Sequence, residues 1–421
     1  SYFAGLIILL LDRSIWHKCA YIICGITIFI LLLTFTPLGK SVNGARAWLG
    51  LGGFTLQPME FVKVGVSLTM ARIMSVYGFS VQHVNDMIKA LILLFIPMAI
   101  AVLQNDTGSG VVFCSFLFMF YREGLDHWIC VPAIFFAALF ILSFLFTPAV
   151  LLVALIFIFT FSAGMIMRDK WKMCVKYVAS LFLLSTLLFL LLCFITPGRF
   201  GFYECLLYVT IASMVCVVIY AYRANIRKLY FLVLIFSVSV ICLPTSDMVF
   251  HHLPFHQQNR IRIFVGMVDD PQNVGYNVNQ SEIAIGSGGI FGKGFLQGTQ
   301  TRYNFVPEKH TDFIFCVVGE EWGFLGCFVV VALYVALILR LMRMGERIKE
   351  PFGRVYCYSV AAILLFHVWV NIGMTIGLMP VMGIPLPLMS YGGSSLVAST
   401  ILIMIAIRLD ASTEDDSVYI G

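Results

Sequence analysis

Residues 177–196 read YVASLFLLSTLLFLLLCFIT, twenty positions without a charge. A helix rises about 1.5 Å per residue, so roughly twenty apolar residues cross the ~30 Å hydrocarbon core of a bilayer. A helix that faces water keeps a charged face, and this one has none. Working outward, comparable apolar runs lie at 1–11, 17–36, 61–78, 87–103, 108–120, 128–146, 148–167, 176–196, 204–222, 229–248, 313–339, 355–378 and 384–407. The weakest are 61–78, interrupted by Arg72, and 108–120, which is short. The whole chain agrees: 60% of its 421 residues are hydrophobic and only 12% are charged. Soluble domains run near one quarter charged, so this chain cannot cover a water-exposed surface. The predicted fold is all-α, a polytopic integral membrane helix bundle of about 13 spans, with no nucleic-acid partner.

Sidedness follows from the basic residues. With the connection at Arg13–Lys18 cytoplasmic and the spans alternating from there, eighteen of the 27 Lys and Arg fall on cytoplasmic segments and nine on outer ones. Every connection assigned to the cytoplasm then carries a cation, while the outer links near 104–107 and 147 carry none. This divides the chain into a transmembrane region 1–248, a large extracytoplasmic loop 249–312, C-terminal spans 313–408 and an acidic cytoplasmic tail 409–421. A loop of some sixty residues far exceeds the usual connection, and such loops are functional or disordered. Here Gly286-Ser287-Gly288-Gly289, Gly292 and Gly294 alternate with apolar residues such as Ile283 and Ile285, which predicts short helices and tight turns at the membrane face. The twelve Cys, without a C-x-x-C pair, read as small apolar residues of embedded helices.

The sharpest polar cluster is Pro307-Glu308-Lys309-His310-Thr311-Asp312, directly before the span that begins at Phe313. Asp312 suits a helix cap. It also suits a partly desolvated carboxylate able to take a proton from a hydroxyl. Glu320 and Glu321 follow inside that span, where a charge faces a cavity or a partner. Glu60 and Lys63 stand at i, i+3 spacing, compatible with an ion pair. They also stand at the outer end of their span, where with Arg46, Arg260, Arg262 and Lys309 they would make a cationic patch for a phosphorylated headgroup. Simple anchoring to anionic lipid is the competing reading of each Arg. Met389-Ser390-Tyr391-Gly392-Gly393-Ser394-Ser395 opens the last span, and its small residues favour close helix packing. His251, His252 and His256 lack the spaced acid partners of a metal site.

These residues also resemble a family. Gly275-Tyr276, Gln280-Ser281, Ile283 through Gly289, Phe291 through Gly294 and Pro307 through Phe315 are similar to segments of the SEDS proteins (shape, elongation, division and sporulation), as are Asn43 through Leu49, Gln57-Pro58 and Pro380 through Ser395. Gln297-Gly298-Thr299-Gln300 and Gly383-Ile384-Pro385-Leu386-Pro387 resemble the elongation branch of that family rather than the division branch. The resemblance implies a peptidoglycan glycosyltransferase that polymerises lipid II on the outer face of the bacterial cytoplasmic membrane. Its implied partners are a class B penicillin-binding protein and other membrane proteins of the elongation complex. Asp312 falls at the family's essential His-Thr-Asp aspartate. The candidate substrate-binding residues are Arg46, Glu60, Lys63, Arg260, Arg262, Gln280, Lys309, His310 and Thr311, with Asp106, Glu308, Glu320, Glu321 and Ser390 in support. The implied reaction inverts at the donor sugar, with cations and optionally a divalent metal (Mg or Mn) stabilising the departing diphosphate. A lipid II flippase and a non-catalytic scaffold are the alternatives.

The chain departs from the family pattern at Met59 and at Asn105, which leave Glu60 and Asp106 in place. It also offers about five spans over 128–248 where relatives have about one. Four extra spans are an even number, so the large loop stays outside. The resemblance also implies that a first family span precedes residue 1.

Overall fold

The computed structural model describes residues 1–42, 44–51, 54–167, 171–195, 201–252, 258, 260, 274–303 and 305–418. The chain forms two compact units, Ser1–His127 with Arg262–Gly421, and Trp128–Ile261. Arg262, His256 and the middle of the expected loop lie outside the described residues.

The first unit begins with α1 (Tyr2–Leu10) and α2 (Arg13–Leu32), the latter opened by Asp12, whose side chain accepts from Ser14 N. A three-stranded antiparallel sheet follows, β1 (Gly39–Val42), β2 (Ala45–Leu51) and β3 (Phe54–Leu56). The all-helical expectation therefore needs a local amendment. Along β2, Ala47 and Leu49 are buried while their neighbours are more exposed, the period-two pattern of a strand with one covered face. The sheet lies on the end of α2, where Gly39 passes so close to Thr34 that any Cβ would fall 1.8 Å from its carbonyl oxygen.

Next come α3 (Pro58–Met74), α4 (Val84–Leu103), α5 (Thr107–Val111) and α6 (Phe116–Arg122). Gly65 of α3 lets that helix lie against Cys24 and Thr27 of α2, and Thr69 Oγ1 donates to Ala20 O at 3.0 Å. The second unit holds α7 (His127–Leu145), α8 (Pro148–Ile166), α9 (Trp171–Ile195), α10 (Phe202–Arg223) and α11 (Arg227–His252). Its core stacks Phe159 on Phe236, ring centroids 4.4 Å apart, among Leu152, Ile156 and Leu181. Ser185 and Thr210 bond back to carbonyls four residues earlier, so their hydroxyls are satisfied inside an apolar core.

The chain returns to the first unit with α12 (Val274–Ser287) and a short α13 (Thr299–Arg302). It closes with α14 (Ile314–Arg347), α15 (Pro351–Thr375) and α16 (Gly393–Val418). The membrane-crossing window of α15 is 83% buried, against 28% for α2 or α4, so α15 is the central post of this unit. Arg354 grips Glu123 with two 2.9 Å bonds at one end of it, and Tyr356 OH reaches Leu402 O of α16.

Among the described residues, nine helices are long and apolar enough to cross a membrane. Of the other four expected runs, 128–146 coincides with α7, and the remaining three form shorter helices. The described part of the first, α1, has nine residues, and α3 has 17. The run at 108–120 is split between α5 and α6 by a 3₁₀ turn at Val112–Ser115, and α7 has 19 residues with Pro132 inside.

One further departure shapes the site. The span expected from 313 is α14, and it breaks at Gly323, whose φ of 65° and ψ of −161° leave the helix. A break frees carbonyls on one side and amides on the other, and unpaired backbone is costly in lipid. The segment after α12 satisfies both. Lys293 N and Gly294 N donate to Glu320 O and Glu321 O at 3.0 Å, while Phe324 N and Leu325 N donate to Gly289 O and Ile290 O. Gly292, at φ +77°, passes so close that a Cβ there would sit 2.1 Å from Glu321 O. We expect Gly292→Ala to destabilise the protein by roughly 2–4 kcal/mol, since strain and a backbone clash combine. Gly286→Ala meets nothing within 4 Å and should be nearly neutral. Thermal unfolding of the two variants in detergent checks the difference.

Candidate active site

The site is built where α14 begins. Asp312 precedes Phe313, the N-cap residue, and that cap makes no side-chain hydrogen bond. Asp312 is half-buried, while Glu308 and His310 before it are exposed. Three successive carbonyls of this segment are held by the far end of the chain. Tyr391 N donates to His310 O at 2.7 Å, Ser390 Oγ donates to Thr311 O at 2.7 Å, and Asn371 Nδ2 donates to Asp312 O at 2.8 Å. Within the segment, Thr311 Oγ1 donates to a Glu308 carboxylate oxygen at 2.9 Å.

The same donors hold the segment before α16. Asn371 Nδ2 also donates to Ile384 O at 2.7 Å, and Ser390 Oγ accepts from Leu386 N at 2.7 Å. Gly383 adopts φ +69° there, and a Cβ on it would lie 3.6 Å from Asp312 Oδ2. The carboxylate thus faces a backbone without a side chain, which leaves room beside it.

Behind Asn371, one turn earlier on α15, His367 is buried. Its Nε2 lies 2.9 Å from Lys63 Nζ and its Nδ1 lies 3.0 Å from Pro385 O. The ammonium can only donate, so Nε2 accepts and Nδ1 carries the proton. Lys63 also donates to Glu60 Oε2 at 2.7 Å, both side chains being at most 4% exposed. The chain Glu60–Lys63–His367–Pro385 ties α3 through α15 to the segment that flanks Asp312.

A second anchor lies within α14. Glu320 is fully buried and accepts from Lys293 Nζ, Gln300 N and Thr301 N, each at 2.8 Å. Lys309 donates to Thr301 O, so the loop pinned by Glu320 is tied back to the His310–Asp312 segment.

The FtsW/RodA/SpoVE model of cell cycle proteins matches residues 1–159 and 153–415. The chain belongs to that family. Among its relatives is the peptidoglycan glycosyltransferase RodA of Treponema pallidum (strain Nichols), 33% identical over 390 residues, covering 91% of this chain and 81% of that protein. The peptidoglycan glycosyltransferase MrdB of Escherichia coli (strain K12) is 30% identical over 383 residues, covering 91% and 74%. A chain from a peptidoglycan synthase complex shares the fold with a TM-score of 0.61 at 22% identity, covering 98% of this chain and 86% of that one. The Thermus thermophilus rod shape determining protein RodA gives 0.52 at 20% identity, covering 98% and 84%. All of these are members or structural relatives of the same helical membrane family.

Against this family member's structure, the expected cationic patch needs correction. Glu60 and Lys63 are not surface groups but a buried pair, because a charge inside an apolar bundle is retained only with a partner. Glu320 is likewise a structural anchor, paired with Lys293 rather than open to a substrate. Asp106 caps α5 by accepting from Ser109 N and Ser109 Oγ, with Gln57 Nε2 at 3.3 Å. Arg46 is exposed on β2 and donates to Thr36 O at 2.8 Å. Arg260 belongs to the second unit, Arg262 lies outside the described residues, and Glu321 is buried. Gln280 is half-buried on α12, and its Oε1 and that of Asn277 (Oδ1), one turn apart, have no hydrogen-bond partner among the described residues. His367, Asn371 and Lys293 were not singled out from sequence. A His and an Asn four apart inside an apolar run, as in His367-Val368-Trp369-Val370-Asn371, are the signal that would have found the first two.

Among the described residues no three His, Cys, Asp or Glu side chains are grouped to hold a metal ion.

Removing one partner of the buried pair should separate structure from chemistry. Lys63→Met leaves Glu60 buried without its ammonium and is expected to cost about 3–5 kcal/mol. The double variant Glu60→Leu with Lys63→Met should recover most of that loss. Unfolding of the single and double variants, read as a double-mutant cycle, measures the coupling.

Proposed function

We propose that this chain polymerises lipid II by inverting glycosyl transfer, with Asp312 as the general base. Its relatives are named peptidoglycan glycosyltransferases, and the enzyme class follows from family membership; a role in cell-wall elongation is part of this reading. The observation that carries the catalytic assignment is the stitching of three successive carbonyls at 310–312, which holds one accessible carboxylate in a fixed position.

In this reading the acceptor's GlcNAc 4-hydroxyl gives its proton to Asp312. The oxygen forms a bond to the anomeric carbon of the donor MurNAc, and the bond from that carbon to the undecaprenyl diphosphate breaks. The diphosphate leaves carrying the negative charge, which basic side chains near the segment, Lys309 among them, would offset. A positioned general base contributes about 10²–10⁴-fold, and the fixed backbone adds through orientation. The charge distribution along the sequence supports a site on the outer face of the cytoplasmic membrane. A structural relative comes from a complex that coordinates polymerization with crosslinking, which supports pairing with a class B penicillin-binding protein.

The test is lipid II polymerisation by the purified chain with such a partner. Asp312→Ala and Asp312→Asn are expected to lower the rate by at least about 100-fold at unchanged folding. Equal polymer from native and variant protein would overturn the base. Lipid II crossing sealed vesicles with no polymer formed would favour a flippase. Asn371→Ala, acting through the Asp312 backbone, should lower kcat by about tenfold with little change in KM.

A further inference from the structure

The second unit contains a feature that glycosyl transfer does not use. A cavity of about 200 Å³ opens between α8, α9, α10 and α11, lined by Ala163, Met167, Met173, Tyr177, Val217 and Tyr220 among other largely hydrocarbon side chains. Drug-sized ligands occupy roughly 300–1,000 Å³, so this space admits a hydrocarbon chain rather than a whole headgroup. All of its lining lies toward one end of the unit: the last turns of α8 and α10 and the first turns of α9 and α11.

That end is also where the cations are. Residues 168–176 and 223–228 hold seven Lys and Arg and one acid, Asp169. Four of the seven stand within three residues of a lining residue, on three helices. Lys172 precedes Met173, Lys176 precedes Tyr177, Arg223 follows Tyr220 by one turn, and Lys228 precedes Leu229, which also lines the space. All four are exposed. An apolar chamber at helix ends that also carry exposed Lys and Arg complements an amphiphile with an anionic head and a hydrocarbon tail.

We infer that the second unit binds an anionic glycerophospholipid, one acyl chain in the cavity and the headgroup phosphate on Lys172, Lys176, Arg223 and Lys228. The bound lipid fills a gap that helix packing leaves open and joins α8–α11 at the end that the charge distribution predicts to be cytoplasmic.

Native mass spectrometry of the full chain in detergent tests this, with phosphatidylglycerol and phosphatidylcholine of identical chains as probes. The native protein is expected to retain phosphatidylglycerol about tenfold better, and added salt should erode that preference. Lys172→Gln, Lys176→Gln, Arg223→Gln and Lys228→Gln together should abolish the preference, while Arg340→Gln with Arg343→Gln should keep it. Ala163→Phe with Val217→Phe should reduce retention of both lipids by filling the chamber. Equal retention of the two lipids by native protein, or a preference that survives the fourfold change, overturns the proposal. Should the fourfold variant fail to purify, the salt series on native protein decides: a preference unmoved between about 50 and 500 mM salt overturns it.

Discussion

Taking a carboxylate or an ammonium out of water costs several kcal/mol even after relaxation, and this chain carries Glu60, Lys63 and Glu320 to 3% exposure or less. Each must be paired, and the partners it finds decide the geometry around Asp312. Lys63 neutralises Glu60 and spends a second hydrogen on His367, whose other nitrogen holds Pro385 O. Glu320 takes Lys293 and the first amides of α13. Neither arrangement is worth much as net stability, because desolvation offsets attraction. Their value is geometric. Two segments distant in sequence, 293–301 and 380–391, are fixed against the residues that carry the carboxylate.

The break in α14 obeys the same logic in the backbone. An unbroken helix would leave Gly289 O, Ile290 O, Lys293 N and Gly294 N without their partners in α14. The interruption at Gly323 exposes two carbonyls and two amides, and the glycine segment supplies the matching amides and carbonyls. Gly292 and Gly323 interlock because neither has a Cβ. The glycine-rich motif is thus better understood as a plug for a split helix than as a flexible loop.

Much of this was legible in the sequence. Apolar run lengths revealed the helical spans, since lipid permits few backbone alternatives, and Asp312 stood out as a carboxylate at a membrane boundary. What escaped reading depended on contacts between distant segments. The i, i+3 spacing of Glu60 and Lys63 allowed a pair but could not tell a buried pair from a surface one. Only the position of His367 on α15 decides that. The strand at 45–51 is short and carries a mixed pattern, Arg46-Ala47-Trp48-Leu49, whose alternation appears once β1 and β3 are beside it. The split at Gly323 left no trace in hydropathy, because a single glycine barely alters an apolar average.

Under the proposed mechanism, the Asp312 carboxylate faces two opposed demands. It must stay close enough to the bundle to be oriented, yet open enough to admit a bulky acceptor. The backbone around Asp312 bears on both. Orientation comes from Tyr391, Ser390 and Asn371, which bind the backbone carbonyls of residues 310–312. Access comes from Gly383, whose missing side chain clears the space next to Asp312 Oδ2.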